Sequence, residues 1–150
     1  VVYVGKTGLA SPATDTVEEA LDDLFEHVDD LQDRDTTLSR TGIAFSVAGL
    51  PDDAGEYNIM LPFGAVIPAA LDGSGGYAGT ASTGSAAFSL AKNGAAAFGT
   101  VTFGAGVSAP VFASASGATF VHGDRLTITC PTPQDATLAD VGFTIFARRS

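Results

Sequence analysis

The chain has 150 residues and a formal net charge of −10, with seven Lys and Arg against seventeen Asp and Glu. Seven scattered bases make no stripe for a phosphate backbone or an anionic bilayer, so neither nucleic acid binding nor membrane insertion is expected. No run of about 18 apolar residues predicts a membrane span, and the first residues lack the basic-then-apolar order of a secretory signal.

Residues 1–14 (VVYVGKTGLASPAT) begin at Val1 rather than Met, which reads as a processed product or part of something longer. Four strand-favouring residues precede Gly5, Gly8 and Pro12, so a short strand or extended arm followed by a turn is expected. Such an arm is a candidate attachment point to a neighbouring protein; a loosely ordered terminus is the alternative.

Residues 15–41 are expected to form a stalk helix. Thr16 and Glu19 have capping-box spacing, in which each side chain satisfies a free backbone N–H of the other residue. Asp15, Glu18 and Glu19 suit the positive end of the helix dipole. Gly42 is expected as the C-terminal stop. Within the helix Val17, Leu24, Leu31 and Leu38 recur every seven residues, and Leu21 and Val28 form a second column continued by Asp35. Alternate spacings of four and three make the first set d positions and the second set a positions of a heptad repeat. Residues 15–40 hold ten acids against Arg34 and Arg40, and eight of those acids fall at the water-facing b, c and f positions. Ala20 at g and Phe25 at e widen the seam, which favours three strands over two. The expectation is a parallel coiled coil of identical chains; the competing reading is an amphipathic helix lying on its own domain. Asp35 on the axis implies a coil that loosens there, or else a ring around a cation or water.

Residues 42–150 read as an all-β head. Short runs of Thr, Val, Phe and Ser alternate between frequent glycines, with strands expected over 43–47, 57–61, 65–67, 86–91, 97–103, 111–115, 125–130 and 142–147. Asn93-Gly94 between two of these runs tolerates the positive φ of a hairpin turn. Gly123-Asp124 marks another turn. Many short strands with regular turns predict an antiparallel β-sandwich of jelly-roll type. Between Asp72 and Asp124 the only ionised side chain is Lys92. A neutral stretch of that length suits heads that pack together; a Ser-, Thr- and Gly-rich polar surface is the alternative.

Catalytic chemistry finds little footing. A Ser–His–acid arrangement needs a His near a nucleophile. The two histidines are His27, on the stalk, and His122, before a turn. Gly73-Ser-Gly75-Gly-Tyr-Ala78 and Gly104-Ala-Gly106-Val-Ser-Ala109 match a loose dinucleotide pattern, but neither opens a helix after a strand, so both are expected as loops. Asp52, Asp53 and Glu56 could offer oxygens to calcium, yet a solvated turn is the better reading. Asp124, Asp135 and Asp140 likewise read as turn residues. The single cysteine, Cys130, is expected as a small buried residue in a strand. No catalytic, cofactor-binding or metal-ligating residue is assigned. Tyr77, flanked by Gly75, Gly76 and Gly79, is the one aromatic placed to touch a ligand such as a sugar.

Several pieces of the head resemble a β-sandwich module of tailed-phage and prophage structural proteins. They are Ala44-Phe45 with Gly49-Leu-Pro51, Ile67-Pro68-Ala-Ala-Leu71-Asp-Gly-Ser74, Ala87-Phe-Ser-Leu-Ala-Lys-Asn-Gly94 with Gly99-Thr-Val-Thr-Phe103, and Gly123-Asp-Arg-Leu126 with Asp135-Ala-Thr-Leu-Ala-Asp140 and Arg148. The similarity spans roughly residues 43–149, and Thr16-Val-Glu-Glu-Ala-Leu21 resembles stalk helices that precede such heads. The resemblance implies a virion protein assembled in the host cytoplasm, as a tail-fibre, baseplate or capsid-fibre part, and carries no catalytic residue over. The resulting expectation is a homotrimeric fibre or spike, joined to other virion proteins through residues 1–14, with host-surface polysaccharide as a candidate ligand of the head. A capsid decoration or tail adaptor without ligand is the second class, and a cellular jelly-roll signalling trimer the third.

Overall fold

The computed structural model describes residues 17–150, apart from the side chains of residues 18–20 and 33–38. The proposed arm, the Thr16 cap and the side chain of Asp35 therefore lie outside the described residues. The chain falls into two units that part between Leu38 and Ser39.

The first unit contains helix α1, Val17–Leu38, of 22 residues. No Gly or Pro interrupts residues 17–41, and Leu, Ala and Glu supply helix propensity. The helix stops earlier than the sequence implied. Ser39 is a turn residue, and strand β1 already begins at Arg40. Gly42 is thus a strand residue rather than a helix stop. Its hydrogen takes the place of a side chain because a Cβ there would stand 2.7 Å from Thr144 Cγ2.

The second unit is mainly β, with ten strands in two antiparallel sheets. The strands are β1 Arg40–Val47, β2 Glu56–Met60, β3 Ala65–Ile67, β4 Gly75–Thr80, β5 Ala86–Lys92, β6 Ala97–Phe103, β7 Val111–Ser114, β8 Ala118–Phe120, β9 Arg125–Thr129 and β10 Ala139–Arg149. The first sheet runs β1-β10-β3-β8, with β4 also paired to β10. The second runs β2-β9-β5-β6-β7. Strand β10 organises the first sheet. One of its edges pairs with β1 from Val141 to Arg148, while the other carries β4 at Ala139–Thr144 and β3 at Arg148 and Arg149. Between these two partners, Ser74 Oγ accepts a hydrogen bond from Phe146 N at 2.9 Å.

Inward residues of both sheets form one core. Phe45 and Phe143 from the first sheet meet Phe88 from the second, with centroids 4.8 Å apart for Phe45–Phe143, 6.0 Å for Phe45–Phe88 and 5.6 Å for Phe88–Phe143. Tilted and edge-on contacts of this kind suit the aromatic quadrupole. Each buried Phe contributes about 1.5–3 kcal/mol of transfer free energy. Among the described residues no buried side-chain N or O lacks a hydrogen-bond partner. Buried Ser82 donates to Gly104 O at 3.1 Å, and Thr127 Oγ1 donates to Asn58 Oδ1 at 2.8 Å.

The expected hairpin forms between β5 and β6, with Asn93 at φ 54° and Gly94 at φ 73°. Two strands were not expected. The stretch from Gly73 to Ala78, expected as a loop, instead enters β4, which runs from Gly75 and carries Tyr77. Its glycines allow close approach, since a Cβ on Gly76 would lie 2.6 Å from Phe143 Cβ. Strand β8 is only three residues long and leaves no periodic signal. Cys130 is buried as expected but lies one residue past the end of β9.

Candidate functional site

Among the described residues, two surfaces are candidates for contact with something outside the chain. The first is the heptad stripe of α1. Val17, Leu21, Leu24, Phe25, Val28 and Leu31 are all exposed, Val17 to 77%, Leu24 to 58% and Leu31 to 63%. Leu38 ends the helix, and its side chain is not among those described. The three-four spacing brings Val17, Leu21, Leu24, Val28 and Leu31 to one stripe. Asp22, Asp23, Glu26, Asp29 and Asp30 occupy the remaining helix surface and are also exposed. His27 is exposed, with Nδ1 2.7 Å from Asp23 O one turn earlier.

The second surface is the outer face of the first sheet. Tyr77 stands there, 61% exposed, opposite Gly142 in the β4–β10 register. The same face carries Phe146, Arg40 and Arg148, which the sequence reading did not single out as site residues. Only the strand register brings Arg40 beside Arg148, and nothing in the spacing of residues 40 and 148 announces it.

The aspartates of the sequence motifs prove to be loop clasps. Asp135 accepts hydrogen bonds from the backbone N–H groups of Thr83, Gly84, Thr137 and Leu138 at 2.9–3.1 Å, and from the hydroxyls of Thr83 and Thr137. These donors, Thr137 N–H and Gly84 N–H foremost, hold its carboxyl well below the usual carboxylate range. Asp124 joins two turns. Its Oδ2 lies 2.8 Å from Lys92 Nζ and accepts from Val121 N, while its Oδ1 accepts from Asn93 Nδ2. The Lys92 contact first, then the Val121 and Asn93 bonds, lower its pKa to about 2. Asn93 Oδ1 in turn accepts from Arg125 N at 2.9 Å. Thus the Lys-Asn-Gly and Gly-Asp-Arg-Leu motifs, some thirty residues apart, close on each other. Asp140 Oδ1 accepts from Gly49 N at 2.8 Å and so ties the Gly49-Leu-Pro51 motif to the start of β10.

Asp52, Asp53 and Glu56 are exposed. Asp53 Oδ1 accepts from Gln134 N at 3.0 Å. No group of three or more His, Cys, Asp or Glu able to hold a metal occurs among the described residues. Burial, with a smaller contribution from Asp52, pushes the Cys130 thiol up to about 11, so its thiolate is scarce at neutral pH. His122 is exposed beside the Gly123 turn.

No family model matches the chain, and no curated protein or solved structure matches it significantly. The resemblance to phage structural modules rests on the sequence motifs alone.

Proposed function

We propose that this chain is a non-enzymatic structural component of a tailed-phage or prophage virion. In this reading α1 is a parallel coiled-coil stalk of three identical chains, and the second unit is a jelly-roll-like β-sandwich head with host-surface adhesion as its task. The observation that carries it is the exposed heptad stripe of α1. Six large apolar side chains along about four turns, backed by acids, are poorly suited to water as a lone helix. Identical helices in register would cover the stripe and leave the acids in solvent. Two antiparallel sheets sharing one aromatic core suit a sandwich. The motif aspartates support a structural protein as well, since their oxygens hold loops together. Light scattering at micromolar concentration should give three times the 15.1 kDa chain mass. A monomer mass would overturn the reading.

A further inference from the structure

We infer that the outer face of the first sheet is a binding groove for a carboxylate-bearing polysaccharide, with Arg40 and Arg148 as its anion clamp and Tyr77 as its stacking surface. The inference rests on reading the head as the adhesive end of the chain.

The strand register builds the groove. Strand β10 buries Val141, Phe143, Ile145 and Ala147 and turns Gly142, Thr144, Phe146 and Arg148 outward. On β1, Arg40 lies opposite Arg148, Gly42 opposite Phe146 and Ala44 opposite Thr144. On β4, Tyr77 lies opposite Gly142 and Gly75 opposite Thr144. The face therefore has a floor of small residues, with cations at one end and Tyr77 toward the other. From Gly142 to Arg148 is roughly 20 Å of strand. The cationic end is a groove of about 580 Å³, walled on one side by Asp72 and Gly73.

The two arginines are open to an anion from solvent. Residues directly opposite in an antiparallel pair have Cβ atoms about 5 Å apart, and like charges there destabilise the sheet. Among the described residues neither Arg40 nor Arg148 has a carboxylate partner. Arg40 Cζ instead lies 5.9 Å from the Phe146 ring centroid, which orients the guanidinium and leaves its charge unneutralised. Paired guanidinium forks fit a carboxylate in two-point contact.

The rest of the lining fits a sugar. Exposed Asp72 and Thr144 offer an acceptor and a hydroxyl to ring hydroxyls, and the exposed ring of Tyr77, farther along the same face, suits the apolar C–H side of a pyranose. A protein partner fits less well, because the face lacks the cluster of large apolar residues that centres most interfaces. Nucleic acid fits poorly, because two adjacent arginines make a single anion point and no stripe that could follow a phosphate backbone.

The test is calorimetric titration of the full chain with oligogalacturonate, with dextran as neutral glycan and sodium sulfate as bare anion. Oligogalacturonate should bind, more weakly as salt is raised, and the other two should not compete. Arg148→Gln, which removes charge-assisted hydrogen bonds, should weaken binding by about tenfold. Tyr77→Ala should weaken it too, with circular dichroism unchanged in both variants. Three results would overturn the inference: no binding by folded protein, binding indifferent to both substitutions, or loss of assembly mass in Arg148→Gln, which would make the groove a contact between copies. Light scattering on the same samples separates the two readings. A trimer that ignores oligogalacturonate sinks the groove alone, and a monomer that binds it sinks the fibre alone.

Discussion

Asp124 and Asp135 hold their protons less firmly in the folded head than in the unfolded chain. For Asp124 the cause is first the Lys92 ammonium and then the Val121 and Asn93 donors, and for Asp135 it is the Thr137 and Gly84 N–H groups followed by further donors. At acid pH the unfolded chain then binds more protons than the folded one, so stability rises with pH. Both contributions are complete above the ordinary aspartate value of 3.8. They fade as pH falls through about 2 for Asp124, and lower still for Asp135. We predict that the thermal midpoint is flat from about pH 7 to 5 and falls between about pH 4 and 2. Asp135→Asn should lower the midpoint at neutral pH, because a neutral amide is a weaker acceptor and its NH2 group cannot accept. The Asp124→Asn, Asp135→Asn double variant should show a shallower acid slope by scanning calorimetry. An unchanged slope would assign the acid sensitivity to other carboxylates.

At the scale of the element, α1 and the strands differ in how their sequence speaks. The proposed coiled coil predicts a decisive substitution: in it, Leu24→Asp would set a charge from each chain on the axis, at a cost of several kcal/mol per uncompensated charge. Assembly should fail at micromolar concentration while the head keeps its β signature by circular dichroism. A trimer of unchanged melting temperature would show that the stripe faces something else. The helix was legible because its period is local and runs through six apolar residues. The β5–β6 hairpin was legible because Asn93-Gly94 sits between two alternating runs. Strand β4 was not, because Gly-Gly-Tyr-Ala-Gly-Thr has little strand propensity of its own. It forms because β10 offers an edge that glycine can approach closely, a fact fixed some sixty residues later in the chain. The helix end was misread for a related reason. Gly42 has the chemistry of a stop, but its hydrogen answers a crowded cross-strand neighbour, Thr144. The arginine groove was equally hidden, since its members meet only through the pairing of β1 with β10.

At the scale of the molecule, charge divides the chain into parts suited to different tasks. Residues 15–40 carry a net charge of −8, while residues 41–150 carry seven acids and four bases. Of those four bases, Lys92 is held by Asp124, and Arg148 and Arg149 lie together at the end of β10. A 22-residue helix is about 33 Å long. Its acids would keep neighbouring stalks apart by repulsion, over the ~8 Å reach that charge keeps in physiological salt. If the head is the outward end, attachment to the particle falls to residues 1–14, which lie outside the described structure and outside the acidic segment. We predict that deleting residues 1–14 leaves a trimer with an unchanged head melting temperature that no longer joins particles, as measured by immunogold labelling of purified virions. The deletion removes none of the seam residues Val17 to Leu38, so a loss of trimer mass would point to a register beginning before Val17. Normal incorporation of the truncated trimer would move attachment to the head. The fibre reading would then give way to a decoration or adaptor.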